Sequence, residues 1–212
     1  MTQHRLPLVT AALGSAVLLA GCASGPGSSS DTPAGPGDIP SIGATIAAPG
    51  EVHGQGTVLQ VGDAAPQLCL GPIMESYPPQ CSGPEITGWD WDEIEGDETS
   101  GDVTWGAYAV TGTWDGEVFD ATSAIMLALY DPMPFEDPML DPDNAGDTDP
   151  AELDRIAEEL TESAPFELLT VSVMNGYVFA EVIYDDGSIQ EYVDGTYLPD
   201  TVVVRGALKD VE

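Results

Sequence analysis

Apolar side chains are unevenly spaced along this chain of 212 residues, and their spacing divides it into five segments. Residues 6–19 form an uncharged, mostly apolar run that is too short for a permanent membrane-spanning helix, and Arg5 precedes it. This arrangement is typical of a secretory signal peptide, which we expect over residues 1–21. Residues 22–50 are rich in Gly, Pro and Ser and hold too few apolar side chains to fold, which predicts a disordered tether.

Residues 51–130 alternate short apolar runs with turn-forming residues, which predicts a small antiparallel β module. One strand is predicted over 56–60, while residues 86–91 fit either a strand or a turn. The clearest hairpin spans 103–123, where an Asp-Gly pair favours a type I′ turn. It resembles part of an OB-type Greek-key barrel, a likeness that carries no ligand with it. Residues 125–130 predict a further strand, with a short helix as the alternative.

Residues 131–148 are rich in Pro and Asp, which predicts an exposed linker without regular structure. A helix is predicted after Asp149, with Glu152 completing a capping-box-like pair and Pro165 ending the helix. Its apolar stripe has helical spacing: Leu153, Ile156, Ala157 and Leu160. Four strands are predicted to follow, over 168–173, 177–184, 188–193 and 202–208. Residues 149–212 thus predict one helix packed on an antiparallel meander, and the fold class is α+β, mainly β.

The charge balance is strongly acidic, with 37 Asp and Glu against 4 Lys and Arg, a formal net charge of −33. Nucleic-acid binding is excluded because it needs clustered cations to displace counterions from phosphates. Anionic membranes and wall polymers should be repelled for the same reason. Such a surface confers solubility, and it also attracts metal cations or a basic partner.

The segment Leu19-Ala-Gly-Cys22 closes the predicted signal peptide. It resembles the lipobox of bacterial lipoproteins, which implies cleavage before Cys22 and a thioether-linked diacylglycerol on its sulfur. The resemblance predicts a protein held by lipid at the extracytoplasmic face of the cell membrane. The alternative is an ordinary secretory signal with a chance cysteine, which would leave three thiols in an exported chain.

Lipidation of Cys22 leaves Cys69 and Cys81 as a pair, and in an exported protein this predicts a disulfide that closes a short loop. A redox pair is the alternative, although the spacing differs from Cys-x-x-Cys. The remaining histidine of the processed chain, His53, lies in a Gly-rich stretch expected to be mobile, which disfavours His-dependent catalysis and a zinc site.

Carboxylate chemistry has candidates near the aromatic residues Trp89, Trp91 and Tyr77. Four acids lie among them in sequence: Glu75, Asp90, Asp92 and Glu93. Paired carboxylates beside aromatic rings are typical of a carbohydrate-active enzyme, whereas a solvated loop is the structural alternative. The same three aromatic side chains form a candidate binding surface.

A calcium site is a third hypothesis. Acids occupy positions 1, 3, 7, 9 and 12 of an EF-hand-like loop, with Gly at position 6: Asp141, Asp143, Asp147, Asp149 and Glu152. Ala145 departs from the pattern at position 5, and no helix precedes the loop. The alternative is a Pro/Asp linker that leads into a capped helix.

Several short motifs resemble those of an uncharacterised group of actinobacterial envelope proteins. They are GTVL at 56–59, LCLG at 68–71, PPQC at 78–81, GWDW at 88–91, VTGTWDG at 110–116, VIYDDG at 182–187 and VVVRGAL at 202–208. The resemblance implies fold and location without chemistry. We therefore expect a lipid-anchored, non-catalytic binding or interaction module without a cofactor, whose partner is an envelope protein or glycan; a carbohydrate-active enzyme and a calcium-binding envelope protein are the alternatives.

Overall fold

The computed structural model describes residues 46–131 and 137–211, which belong to one compact unit. The predicted signal peptide, Cys22 and the tether up to residue 45 lie outside the described residues. Secondary structure and packing confirm the expected class, α+β and mainly β.

The first half forms a small barrel from five strands, with a sixth short strand at its edge. In chain order these are β1 (Glu51–Val61), β2 (Gln67–Cys69), β3 (Glu85–Thr87), β4 (Glu98–Ser100), β5 (Val103–Trp114) and β6 (Val118–Met126). The five strands of the ring are hydrogen-bonded in the order β1-β2-β3-β6-β5. The last strand, β5, also pairs with β1, which closes the ring, and β4 pairs with β5 at the edge. All neighbours are antiparallel except β3 and β6. A closed five-stranded ring agrees with the likeness to a small OB-type barrel, while the parallel β3–β6 pair departs from the expected antiparallel module.

The barrel interior is filled by every second residue of the two long strands, as strand geometry requires. Val52 and Val58 of β1 and Tyr108, Val110 and Trp114 of β5 belong to this core. Residues 46–50, inside the range predicted for the tether, include backbone that is fixed on the barrel: the Trp114 indole N–H donates to the carbonyl of residue 46 at 2.9 Å. Backbone on the N-terminal side of β1 is therefore bonded to the barrel.

The predicted 103–123 hairpin is confirmed as β5 and β6, but its turn differs from type I′. That turn needs positive φ at both central residues, and here only Gly116 has it, at 102°. The Asp115 carboxylate instead accepts the backbone N–H groups of Glu117 and Val118 at 2.8 and 2.7 Å. The strand expected at 125–130 ends at Met126 and continues as a 3₁₀ turn, Leu127–Leu129.

The second half contains two helices and a three-stranded sheet. Its elements are α1 (Pro150–Ser163), β7 (Thr170–Met174), β8 (Tyr177–Val182), α2 (Ser188–Thr196), β9 (Val202–Gly206) and β10 (Lys209–Asp210). Helix α1 begins as predicted, because the Asp149 carboxylate accepts the Ala151 N–H at 2.9 Å. The Glu152 carboxylate, however, contacts Arg155 at 2.7 Å instead of completing a capping box.

The prediction of a strand over 188–193 is wrong, since these residues form α2. The carboxylates of Asp185 and Asp186 accept backbone N–H groups of the first turn, including that of Ile189 at 2.9 Å, which starts a helix. Ile189 and Val193, four residues apart, are then buried on one face. This helix carries the chain across the sheet, so β8 and β9 pair in parallel, whereas β7 and β8 form the expected hairpin across Asn175-Gly176.

The end of the chain returns to the barrel. Strand β10 pairs with β1, and Ile183, Tyr184 and Leu208 are buried in the barrel core. The Tyr184 hydroxyl donates to the Asp210 carboxylate at 3.0 Å. The pKa of Tyr184 is raised to about 12, mainly by burial and secondly by its hydrogen bond to this carboxylate. A separate core lies under α1, where Leu153, Ile156 and Leu160 pack on β8 and β9.

Gly106 lies in the barrel interior at a position where a Cβ atom would collide with a buried side chain. A Cβ atom there would lie 2.5 Å from the hydroxyl of Tyr108, whose ring is fully buried and held by tryptophans 89 and 91. Gly106→Ala should lower the free energy of unfolding by about 1–3 kcal/mol, measured by urea denaturation. The control is Gly195→Ala in α2, where a Cβ meets open space and helix propensity favours Ala, so stability should be unchanged or higher. Equal effects of both variants would contradict the packing argument.

Candidate functional site

A disulfide closes a loop on the side of the barrel, as predicted. Cys69, at the end of β2, is bonded to Cys81, with 6.0 Å between their Cα atoms. Within the loop, the backbone N–H of Met74 donates to the carbonyl of Gln80 at 2.9 Å, which makes a miniature hairpin. The Ser76 hydroxyl donates to the Pro78 carbonyl at 2.8 Å. The loop is therefore held by its own hydrogen bonds as well as by the disulfide.

The apolar side chains of this loop point towards solvent. Ile73, Met74 and Tyr77 expose 42%, 63% and 74% of their surfaces, and we call these three residues the loop tip. The Tyr77 ring meets Trp105 of β5 edge-on, at 5.4 Å between centroids. Trp105 is the cross-strand partner of Leu59 and points away from the barrel interior, so the loop folds over the outer face of β1 and β5.

The two tryptophans grouped with Tyr77 in the sequence lie in a different environment. Trp89 and Trp91 contact each other and Tyr108, with ring centroids 4.9 Å apart for Trp89 and Tyr108. The Trp91 indole donates to Gln60 Oε1 at 2.6 Å. Within residues 46–131 and 137–211, no ring contact joins either tryptophan to Tyr77. Both side chains thus fasten their segment onto the barrel core.

Tyr108 at the centre of this aromatic cluster is fully buried. Burial raises the pKa of its hydroxyl, and the negative charge of Asp97 raises it further. The hydroxyl has no hydrogen-bond partner among the residues that the structure describes. The group therefore stays neutral at ordinary pH and serves the packing of the core.

A cleft of about 510 Å³ opens beside the base of the disulfide loop, a size typical of small-molecule sites. It is bordered by the loop base, the β5–β6 turn and the segment before β7. Its walls include Gly71, Gly83, Trp114, Glu117, Glu167 and Leu169. The two glutamates were not predicted as site residues, because they come from distant segments and no local pattern marks them.

The acids proposed for carbohydrate chemistry are spread over exposed loops. Glu75, Asp90, Asp92 and Glu93 are all exposed. The Asp90 carboxylate accepts the backbone N–H of Asp92 at 2.9 Å, so it is used by its own turn. None of the four lines the cleft beside the disulfide loop.

His53 is not in a mobile stretch, contrary to the expectation from its Gly-rich surroundings. It lies inside β1, paired with Lys209 of β10 on one edge and with Thr111 of β5 on the other. Strand pairing on both edges fixes the backbone despite the neighbouring glycines.

Three of the five acids of the predicted calcium loop, Asp141, Asp149 and Glu152, are engaged in local structure. Asp141 accepts the N–H of Asp143 at 2.9 Å and starts a 3₁₀ turn, Pro142–Asn144. A second 3₁₀ turn, Pro138–Leu140, precedes it, so the linker has short regular elements that were not expected. Asp149 caps α1 and Glu152 contacts Arg155. In the part of the chain that the structure describes, no three His, Cys, Asp or Glu side chains gather closely enough to hold a metal. Calcium binding stays an untested prediction.

Comparisons with protein-family models, curated proteins and solved structures found no match to this chain. The resemblance to actinobacterial envelope proteins therefore stays a prediction. Among the described residues, no helix has the length and apolar character needed to cross a membrane.

The disulfide is expected to contribute about 3 kcal/mol to the free energy of unfolding, because it closes a loop of sequence separation 12. Urea denaturation with and without a reductant measures this contribution. A Cys69→Ala/Cys81→Ala double variant should match the reduced protein and should no longer respond to the reductant. An unchanged midpoint on reduction would show that the loop is held by its hydrogen bonds alone.

Proposed function

We propose that the chain is a lipid-anchored protein of the extracytoplasmic face of the cell membrane, and that its folded part is a non-catalytic binding module. The observation that carries the binding role is the disulfide-closed loop with its exposed apolar tip. This module would use no cofactor, and its partner would be an envelope protein or glycan.

The location is supported by the use of the three cysteines. Disulfides persist in oxidising, extracytoplasmic compartments, and Cys69 and Cys81 are bonded to each other. Cys22 is then the one cysteine left, and it stands at the end of the lipobox-like segment. Two acyl chains suffice for stable anchoring, since each buried methylene contributes about 0.8 kcal/mol.

The binding role is supported by the rigidity and the exposure of the loop tip. Met74 remains mostly in water and contributes little to the stability of the fold, and Tyr77 is 74% exposed even though its ring contacts Trp105. A loop whose conformation is already fixed loses less entropy when a partner binds. Tyrosine is also enriched among residues that dominate binding energy.

Replacing Cys22 tests the anchor. Cys22→Ser should move the protein from the membrane fraction to the soluble extracytoplasmic fraction and abolish labelling by a radioactive fatty acid. The Cys69→Ala/Cys81→Ala variant is the control, because it removes cysteines without touching the lipobox, and it should remain membrane-bound. Membrane retention of Cys22→Ser in a high-salt wash would overturn the anchor.

Site-specific photo-cross-linking tests the binding role in intact cells. A photoreactive amino acid at position 77 should capture an envelope component, whereas the same group at position 198 should not. Leu198 is a matched control because it is also highly exposed, at 69%, but lies beyond α2 and outside the loop. Equal capture at both positions, or none at position 77, would overturn the binding role of the loop.

A further inference from the structure

We infer that the partner of the loop tip is a basic polypeptide segment, one that carries lysine or arginine next to apolar side chains. This inference rests on the proposed binding function and specifies its ligand. It follows from the combination of apolar exposure and surrounding charge on one face of the barrel.

The apolar part of the proposed binding surface is the loop tip, whose side chains are clustered and held on a fixed backbone. Three large apolar side chains are exposed within five consecutive positions, from Ile73 to Tyr77. The disulfide and the Met74–Gln80 bridge fix the backbone that carries them. A clustered apolar patch of this kind, unlike single exposed residues, is typical of an interaction site.

Carboxylates border this patch. Glu75 is exposed in the middle of the loop tip. Strand β4 pairs with β5 so that Glu98 lies directly opposite Trp105, the residue that the Tyr77 ring contacts. Opposite residues of an antiparallel pair share one face, so the Glu98 side chain projects from the same face as Trp105.

Charge decides which partner this surface accepts. The chain carries a net charge of −33, so a second copy would bring like charge to the patch, and an anionic lipid or nucleic acid would be repelled. A basic segment is attracted at long range by the whole surface and at contact by Glu75 and Glu98. Its cations can also lie over the exposed Tyr77 ring, while its apolar side chains cover Ile73 and Met74.

Defined peptides test the inference on the full chain, purified in detergent. The probe is a short peptide with both lysines and leucines. One counterpart has glutamate for each lysine, and another has serine for each leucine. Titration calorimetry should detect binding of the lysine–leucine peptide only, and its affinity should fall as salt rises. Tyr77→Ala should weaken binding about tenfold or more.

Matched variants separate the loop tip from general charge attraction. Met74→Ser removes a second exposed side chain and should also weaken binding, whereas Leu198→Ser, at a site of similar exposure, should leave affinity unchanged. Glu75→Gln combined with Glu98→Gln should reduce the salt dependence. Met74→Ser and Leu198→Ser replace side chains that are mostly in water, so their unfolding midpoints should stay unchanged. Tyr77→Ala also removes the ring contact with Trp105, so its midpoint should fall slightly, and a retained cooperative transition shows that the variant folds.

Four results would overturn the inference. The first is that Tyr77→Ala binds the lysine–leucine peptide as tightly as the unaltered protein does. The second and third are that the serine counterpart binds as tightly as the lysine–leucine peptide, or that the glutamate counterpart binds at all. The fourth is self-association, measured by sedimentation, that Tyr77→Ala abolishes. The last would make a second copy the occupant. If position 77 cross-links in cells to a partner without basic segments, the proposed binding function stands and only the partner class is wrong.

Discussion

The pairing of β1 with β5 is the constraint on which the rest of the structure depends. Eleven consecutive residue pairs, from Glu51↔Thr113 to Val61↔Val103, join strands that are far apart in sequence. This pairing closes the barrel and buries alternate side chains of both strands. The other edge of β1 is divided between β10 near its start and β2 near its end. One strand thereby joins the barrel, the disulfide loop and the end of the chain.

Glycines in β1 allow other segments to pack closely against it. A Cβ atom at Gly54 would lie 2.7 Å from the Leu208 side chain, and one at Gly56 would lie 2.6 Å from the Cys69 carbonyl. The missing side chain at Gly54 leaves room for Leu208 in the core, and the missing side chain at Gly56 lets β2, which ends at the disulfide, lie close to β1. Glycine usually weakens a strand interior, but here close packing of other elements against the strand compensates for that cost.

Local signals in the sequence were sufficient where a short segment determines its own structure. The Asp149 cap, the two hairpins and the Cys69–Cys81 disulfide were all predictable in this way. The prediction of a strand over 188–193 was wrong because Ile189, Tyr192 and Val193 fit helical spacing as well as a short strand. The carboxylates of Asp185 and Asp186 favour the helix, since they accept N–H groups of its first turn.

The candidate site was less predictable, because its parts meet only through long-range pairing. The sequence groups Tyr77 with Trp89 and Trp91, yet Tyr77 contacts Trp105, which β1 pairing places on the outer face of the barrel. Glu98 reaches the same face through the β4–β5 register, and Glu117 and Glu167 share a cleft despite their separation in sequence. Periodicity indicates which face of a strand is buried, but not which loop covers its other face.

The acidic surface and the apolar loop tip make sense together in physical terms. An exposed cluster such as Met74 and Tyr77 would ordinarily favour self-association, since it offers apolar area to a second copy. Strong like charge opposes that encounter while leaving the patch accessible to a cation-bearing segment. Under the proposed binding role, the charge that opposes self-association also favours a basic partner, and an anionic membrane surface would not hold the protein by electrostatics. Under the proposed location, attachment then depends on the lipid at Cys22, and the loop stays available for binding.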